Sequence, residues 1–287
     1  KGQYLLRFTA VDPADLHKTV GSISFGVGVL APLSKASEQI TSSWWTAALR
    51  AMSDIAIFVL IGITLLAART VKSDKNLVDG IAQWVTSLAI GLASIWFALV
   101  ALDIASVGVR NINFISLLIT SDPGRRAVIG IPLAYCLVVL SKQLRASVVE
   151  EASLYLARVL CAVGVFLAII SSMGGHTPVG GNAFTGLVIH GVHMYALGAW
   201  VGVLAVVIVV VCRNREYRWL WLSASKIFTV SAPLVIATGI LLTGRVAVTV
   251  TSLLSTNYGS RLIGKVAITV VMLVFGLIAG RKIRNGE

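Results

Sequence analysis

Apolar residues gather along this chain in long runs, separated by short polar and charged stretches. Seven runs approach the length of a bilayer crossing. They cover residues 46–68, 86–109, 127–141, 153–173, 184–212, 227–250 and 262–280. About 20 apolar residues in a helix match the thickness of the hydrocarbon layer. A membrane barrel would instead show alternating segments of about ten residues. The pattern therefore predicts helices. An eighth stretch, "TVGSISFGVGVLAPL" (Thr19–Leu33), is short and rich in Gly and Ser. It reads as a short spanning helix or as a re-entrant or interfacial piece packed on the bundle. The expected fold is a single all-α polytopic integral membrane helix bundle with seven or eight transmembrane helices. Its parts are an N-terminal segment (1–45) holding the short or re-entrant helix, N-terminal transmembrane helices (46–150) and a transmembrane core (151–287).

Composition agrees with a lipid environment. The 287 residues are 57% hydrophobic and 13% charged, with mean hydropathy +0.89. A soluble domain carries roughly a quarter charged residues. The net charge of +12 could indicate nucleic acid, but the Lys and Arg sit at the ends of apolar runs, which argues against it. Thirteen fall on one side of the predicted topology and six on the other. The positive-inside rule makes the richer side cytoplasmic. The C-terminus is then cytoplasmic, and the uncharged 173–183 loop is extracytoplasmic, for a multi-pass protein of the cell membrane. Cys136, Cys161 and Cys212 form no CxxC pair and read as small packing residues.

That uncharged loop lies within "SSMGGHTPVGGNAFTGLVIHGVHM" (171–194), which holds three of the four histidines and two of the four methionines. His190 and His193 are three apart on one predicted helix, which stacks both imidazoles on one face. Met194 is four residues from His190. His176 lies at or just beyond the end of the preceding helix, and Met173 one turn before it. Imidazole with thioether suits copper, and thioether favours Cu(I). The candidate metal ligands are therefore His176, His190, His193, Met173 and Met194. The structural alternative is histidines that bond to neighbouring helices and methionines that fill gaps. Asp54 and Asp103 fall in the outer half of their spans, with Arg245 and Lys265 at similar depth as pairing partners. Both aspartates are candidate wall residues of an outward polar cavity, drawing cations in or orienting the histidines. His17, beside Asp12 and Asp15, reads as part of an ordinary surface segment. Trp44, Trp45, Trp219 and Trp221 lie at span ends, as in an aromatic belt, while Trp200 lines the cavity or simply packs. "GVGVL" and "GAWVGV" allow close helix approach. No Walker motif and no serine–histidine–carboxylate pattern stands out, so the chain does not read as an enzyme or an ATP-driven pump.

The second half resembles the CopD (PcoD) copper-resistance membrane family. The motifs are "GGHT" (174–177), "IHGVHMYALGAWVG" (189–202), "ATGILLTGR" (237–245) and "STNYGSRLIGK" (255–265). The family motif is often Gly-His-Ala where this chain has Gly-His-Thr. More loosely, "LRAMSDIAIFVLIG" (49–62) and "VALDIASVG" (100–108) are similar to the Asp-bearing early helices of actinobacterial proteins that fuse CopD to a CtaG-like domain. No CtaG-like domain follows here. The resemblance implies copper import, or transfer to a cuproenzyme being assembled in the membrane, with an extracytoplasmic copper chaperone as a further partner. It nominates His176 and His190 as ligands. The rivals are a b-type haem electron carrier and an accessory subunit of a larger membrane complex.

Overall fold

The computed structural model describes residues 2–11, 18–28, 44–72, 74–107, 115, 118–119, 122–173, 183–246, 262–264, 266–271 and 273–274. The chain divides into two units, one formed by Trp44–Thr243 and the other by residues 1–43 with 244–287.

In the larger unit the apolar runs are helices. They are α1 (Trp44–Thr70), α2 (Lys75–Val107), α3 (Asp122–Ala146), α4 (Glu150–Ser172), α5 (Ala183–Leu197), α6 (Val203–Arg213) and α7 (Leu220–Val246). A π-helical turn, Gly198–Gly202, joins α5 to α6, making them one span, and a 3-10 turn, Arg215–Trp219, leads into α7. Among the described residues six helices are long and apolar enough to cross a membrane. They coincide with six of the seven predicted runs. Of the seventh, Leu262–Val271 is a shorter apolar helix, and beyond it only residues 273–274 are described. The chain is a multi-pass helical membrane protein.

Local chemistry explains the helix ends. Asp74 accepts the Leu77 N–H at 3.0 Å and caps α2. Glu150 and Glu151 occupy the first turn of α4, while Arg69, Arg145 and Arg213 close α1, α3 and α6. Each charge complements the helix dipole at its end. The connections after α1, α3 and α6 are short and meet at one end of the bundle. There Lys72 pairs with Glu150 at 2.7 Å. Lys75 Nζ donates to the carbonyls of Leu144, Arg145 and Ser147 at 3.3, 2.9 and 3.1 Å. Arg213 lies 5.3 Å over the Trp84 ring.

Polarity is distributed as lipid requires. Small hydroxyl residues such as Ser53, Thr64, Ser141, Ser153 and Ser231 are buried, while Ile55, Phe97, Phe166 and Val230 are exposed. An apolar exterior of this extent does not suit a monomer in water. Between membrane helices, close packing and hydrogen bonds replace the hydrophobic drive. Thr86 and Ser141 hydroxyls meet at 2.7 Å between α2 and α3. Cys161 Sγ contacts the Thr64 carbonyl at 3.2 Å, whereas Cys136 and Cys212 are exposed. The tightest crossing sets α1 against the π-helical turn. A Cβ on Gly62 would land on the Gly202 backbone, one on Gly202 on the Phe58 carbonyl, and one on Gly198 2.8 Å from Ile61 Cδ1. The close approach expected of "GAWVGV" is thus present, and Trp200 within it is buried.

The smaller unit corrects one expectation. Lys18–Val27 is not a short or re-entrant helix; it is a β-strand, paired antiparallel with Gly2–Val11. The register sets Tyr4 opposite Phe25, Leu6 opposite Ile23 and Phe8 opposite Gly21, with Tyr4 and Phe25 stacked at 5.6 Å. Thr, Val, Ile and Phe fit a pleated surface, and Gly and Ser are poor helix formers. The described part of the chain is a helical membrane bundle, as expected, that also carries one hairpin. Residues 29–33 of the Thr19–Leu33 stretch lie outside the described residues.

Candidate metal site

Met173, His190 and His193 lie towards the end of the bundle opposite the short charged connections. The site begins at the C-terminus of α4, where carbonyls run out of helical N–H partners. Met173 closes the helix with its N–H on Ile170 O at 3.1 Å. The Ser172 carbonyl, one residue earlier, lies 3.4 Å from His190 Nδ1. A carbonyl only accepts, so His190 in this contact carries its proton on Nδ1 and its lone pair on Nε2.

His193 turns to a different neighbour. Its Nδ1 lies 2.9 Å from Thr238 Oγ1 on α7. The Thr238 hydroxyl proton is committed to the Leu234 carbonyl at 2.6 Å. With that proton so placed, Thr238 is the acceptor for His193 Nδ1–H. Both imidazoles are half-buried. Their three-residue spacing puts them at one level of α5, but one leans to α4 and the other to α7.

The remaining predicted residues are placed as follows. Met173 is half-buried and directly follows the serine that holds His190. Met194 is 8% exposed and packs in the apolar core. His176, His17 and Lys265 lie outside the described residues. Asp103 and Arg245 lie on α2 and α7 and are described by backbone alone. Among the described residues no group of three or more His, Cys, Asp or Glu is gathered in one place.

Asp54 has a definite setting on α1. Its Oδ1 accepts the Ser171 hydroxyl at 2.7 Å, and Arg126 Nη1 stands 3.9 Å away. Arg126 Nη2 donates to the Ser171 carbonyl at 3.2 Å. Among the described residues the cation facing Asp54 is Arg126 of α3. The link from Asp54 towards His190 runs through the adjacent residues Ser171 and Ser172. Polar contacts in this way tie α3 to α1 to α4 to α5, and α5 to α7.

Sequence reasoning missed Arg126, Ser171, Ser172 and Thr238. The signal for Arg126 was present: "DPGRR" starts with Asp-Pro, a helix-start pattern, which puts Arg126 on a helix rather than in a loop. The two serines closing an apolar run mark a helix end that needs polar partners. Thr238 stands in the motif "ATGILLTGR", but nothing there separates it from Thr243, which also precedes a glycine.

Compared with protein-family models, with curated proteins and with solved structures, the chain finds no match. Fold and site together define a multi-pass membrane helix bundle with an imidazole, hydroxyl and ion-pair cluster at one end.

Proposed function

We propose that this protein handles copper. It takes the ion at the histidine end of the bundle, from the extracytoplasmic side of the cell membrane, and imports it or passes it to a membrane cuproenzyme. Copper is here the cargo, delivered from solution or by an extracytoplasmic chaperone. The observation that carries this reading is that His190 and His193 share one level of α5 and each is oriented through Nδ1 by a neighbouring helix. Nδ1 of each is held, through Ser172 O and Thr238 Oγ1, as outer partners orient a metal-binding imidazole. Met173, next in the chain to the serine whose carbonyl meets His190, would add a thioether, and His176 a third imidazole. Such a set of neutral ligands, without thiolates, holds Cu(I) and still allows release. Asp54 adds a carboxylate to the same end of the bundle. The resemblance to CopD points the same way.

One observation favours the accessory-subunit reading: both imidazoles already bond to neighbouring helices, as packing histidines do. A haem rival needs His176 as the facing ligand, because His190 and His193 share a helix. Simultaneous replacement of His176, His190 and His193 by alanine separates these readings. The copper reading expects loss of copper-dependent growth or cuproenzyme activity, with the protein still inserted. Unchanged copper dependence overturns it, and a Soret band in the purified protein would assign the site to haem.

A further inference from the structure

Arg126 poses a problem that the copper site alone does not explain. A guanidinium held for structure in a bundle makes short, paired hydrogen bonds to its carboxylate. Arg126 does not. Its Nη1 stands 3.9 Å from Asp54 Oδ1, beyond hydrogen-bond range. Its hydrogen bond goes to the Ser171 carbonyl at 3.2 Å, and among the described residues Nε is buried without a hydrogen-bond partner. Asp54 meanwhile spends its short contact on the Ser171 hydroxyl. The two charges are held near each other by a third residue, not by each other. The Arg126 side chain is 14% exposed and that of Asp54 36%, so the carboxylate is the partner more open to an arriving ion.

Resting on the copper reading, we propose that Arg126 is a displaceable counter-ion. It neutralises Asp54 until a cation competes for that carboxylate. Ser171 then carries the change to the next residue, Ser172, whose carbonyl orients His190. Binding at the histidines is in this way coupled to loosening of the α1–α3 ion pair. Arg126 is a positioning residue here, since it acts through Asp54 and α4. Its charge also opposes any cation brought to this end of the bundle, so removing it strengthens cation binding.

The test uses the full chain in lipid nanodiscs at about pH 8, well above the ordinary carboxylate range. Cu(I) is titrated against a competing chelator, and the thermal midpoint of the copper-free protein is recorded. Arg126→Gln should bind Cu(I) about fivefold tighter or more, Arg126→Lys about as the parent, and Asp54→Asn about fivefold weaker or more. The Asp54→Asn/Arg126→Gln double variant should return to within about twofold of the parent. The copper-free midpoint should fall in Asp54→Asn, where a buried guanidinium loses its counter-ion, and recover in the double variant. If Arg126→Gln does not fold, Asp54→Asn and the double variant still decide. A double variant no better than Asp54→Asn in both readouts overturns the proposal, as does Arg126→Gln binding no tighter than the parent. If the parent binds Cu(I) and the three-histidine variant does not, such a result removes the counter-ion role alone. A parent that takes no Cu(I) removes the copper reading and this one together.

Discussion

The crossing of α1 with the π-helical turn offers a sharp test of how the bundle is held together. Gly202→Ala would place a methyl against the Phe58 carbonyl, backbone against side chain, with no flexible neighbour to yield. The two elements must part by roughly 1 Å, which forfeits a quarter to a half of each dispersion contact across the seam. Ile57, Ile61 and Val203 line it, all fully buried. Three such side chains share on the order of 75 atom contacts across the crossing, at about 0.15 kcal/mol each, so the gross loss is about 3–6 kcal/mol. Partial relaxation brings the expected cost to about 2–4 kcal/mol. Lipid returns little of it, because tails are as apolar as the helices. Gly91 is the matched control, since a Cβ there meets nothing within 4 Å. Gly91→Ala should stabilise by about 0.5–1 kcal/mol through helix propensity alone. Cys161 provides the reporter: in a Cys136→Ser/Cys212→Ser background its thiol reacts with a fluorogenic maleimide only as α1 and α4 separate. Gly202→Ala should lower the midpoint by about 5–10 °C and Gly91→Ala should raise it slightly. Equal midpoints for the two variants, or a more stable Gly202→Ala, would refute the packing argument.

Other consequences are testable on the same protein. Lys75→Met removes the ammonium that joins three carbonyls at the end of α3. It should cost about 1 kcal/mol, discounted for its half-exposed position, and shows as a lower midpoint in the same thiol assay. Thr238→Val keeps the side-chain shape but deletes the acceptor that fixes the His193 tautomer; Cu(I) affinity should fall about tenfold by chelator competition with little change in fold. Topology follows from impermeant maleimide labelling in the cysteine-depleted background. A cysteine replacing Phe184, at the histidine end, should label in intact cells, and one replacing Lys72 only after lysis; the reverse pattern would invert the orientation.

Much of the bundle was legible because length and hydropathy alone decide whether a helix can span. The runs at 46–68 and 153–173 needed only a few residues added at their ends to become α1 and α4. The hairpin was not legible, because Thr19–Leu33 was read as one apolar run. Its period of two, with Ile23, Phe25 and Val27 against Ser22, Ser24 and Gly26, signals a strand. At the site, the shared level of His190 and His193 follows from helical spacing. Their divergence does not, since it depends on which helices flank α5. Met194 lies four residues from His190, yet belongs to the core because that part of α5 packs against neighbouring helices. The Asp54 partner depended on tertiary placement in the same way. Arg126 reaches it only because α3 begins beside the end of α4.

The central claim is that the histidine end of this bundle takes copper. Metal analysis of the protein purified from copper-supplemented membranes tests it most directly, with the parent beside the His176→Ala/His190→Ala/His193→Ala variant. The account predicts copper in proportion to protein in the parent, no Soret absorbance, and loss of that copper in the variant at equal yield and thermal midpoint. Equal copper content in the two proteins, or none in either, would contradict it.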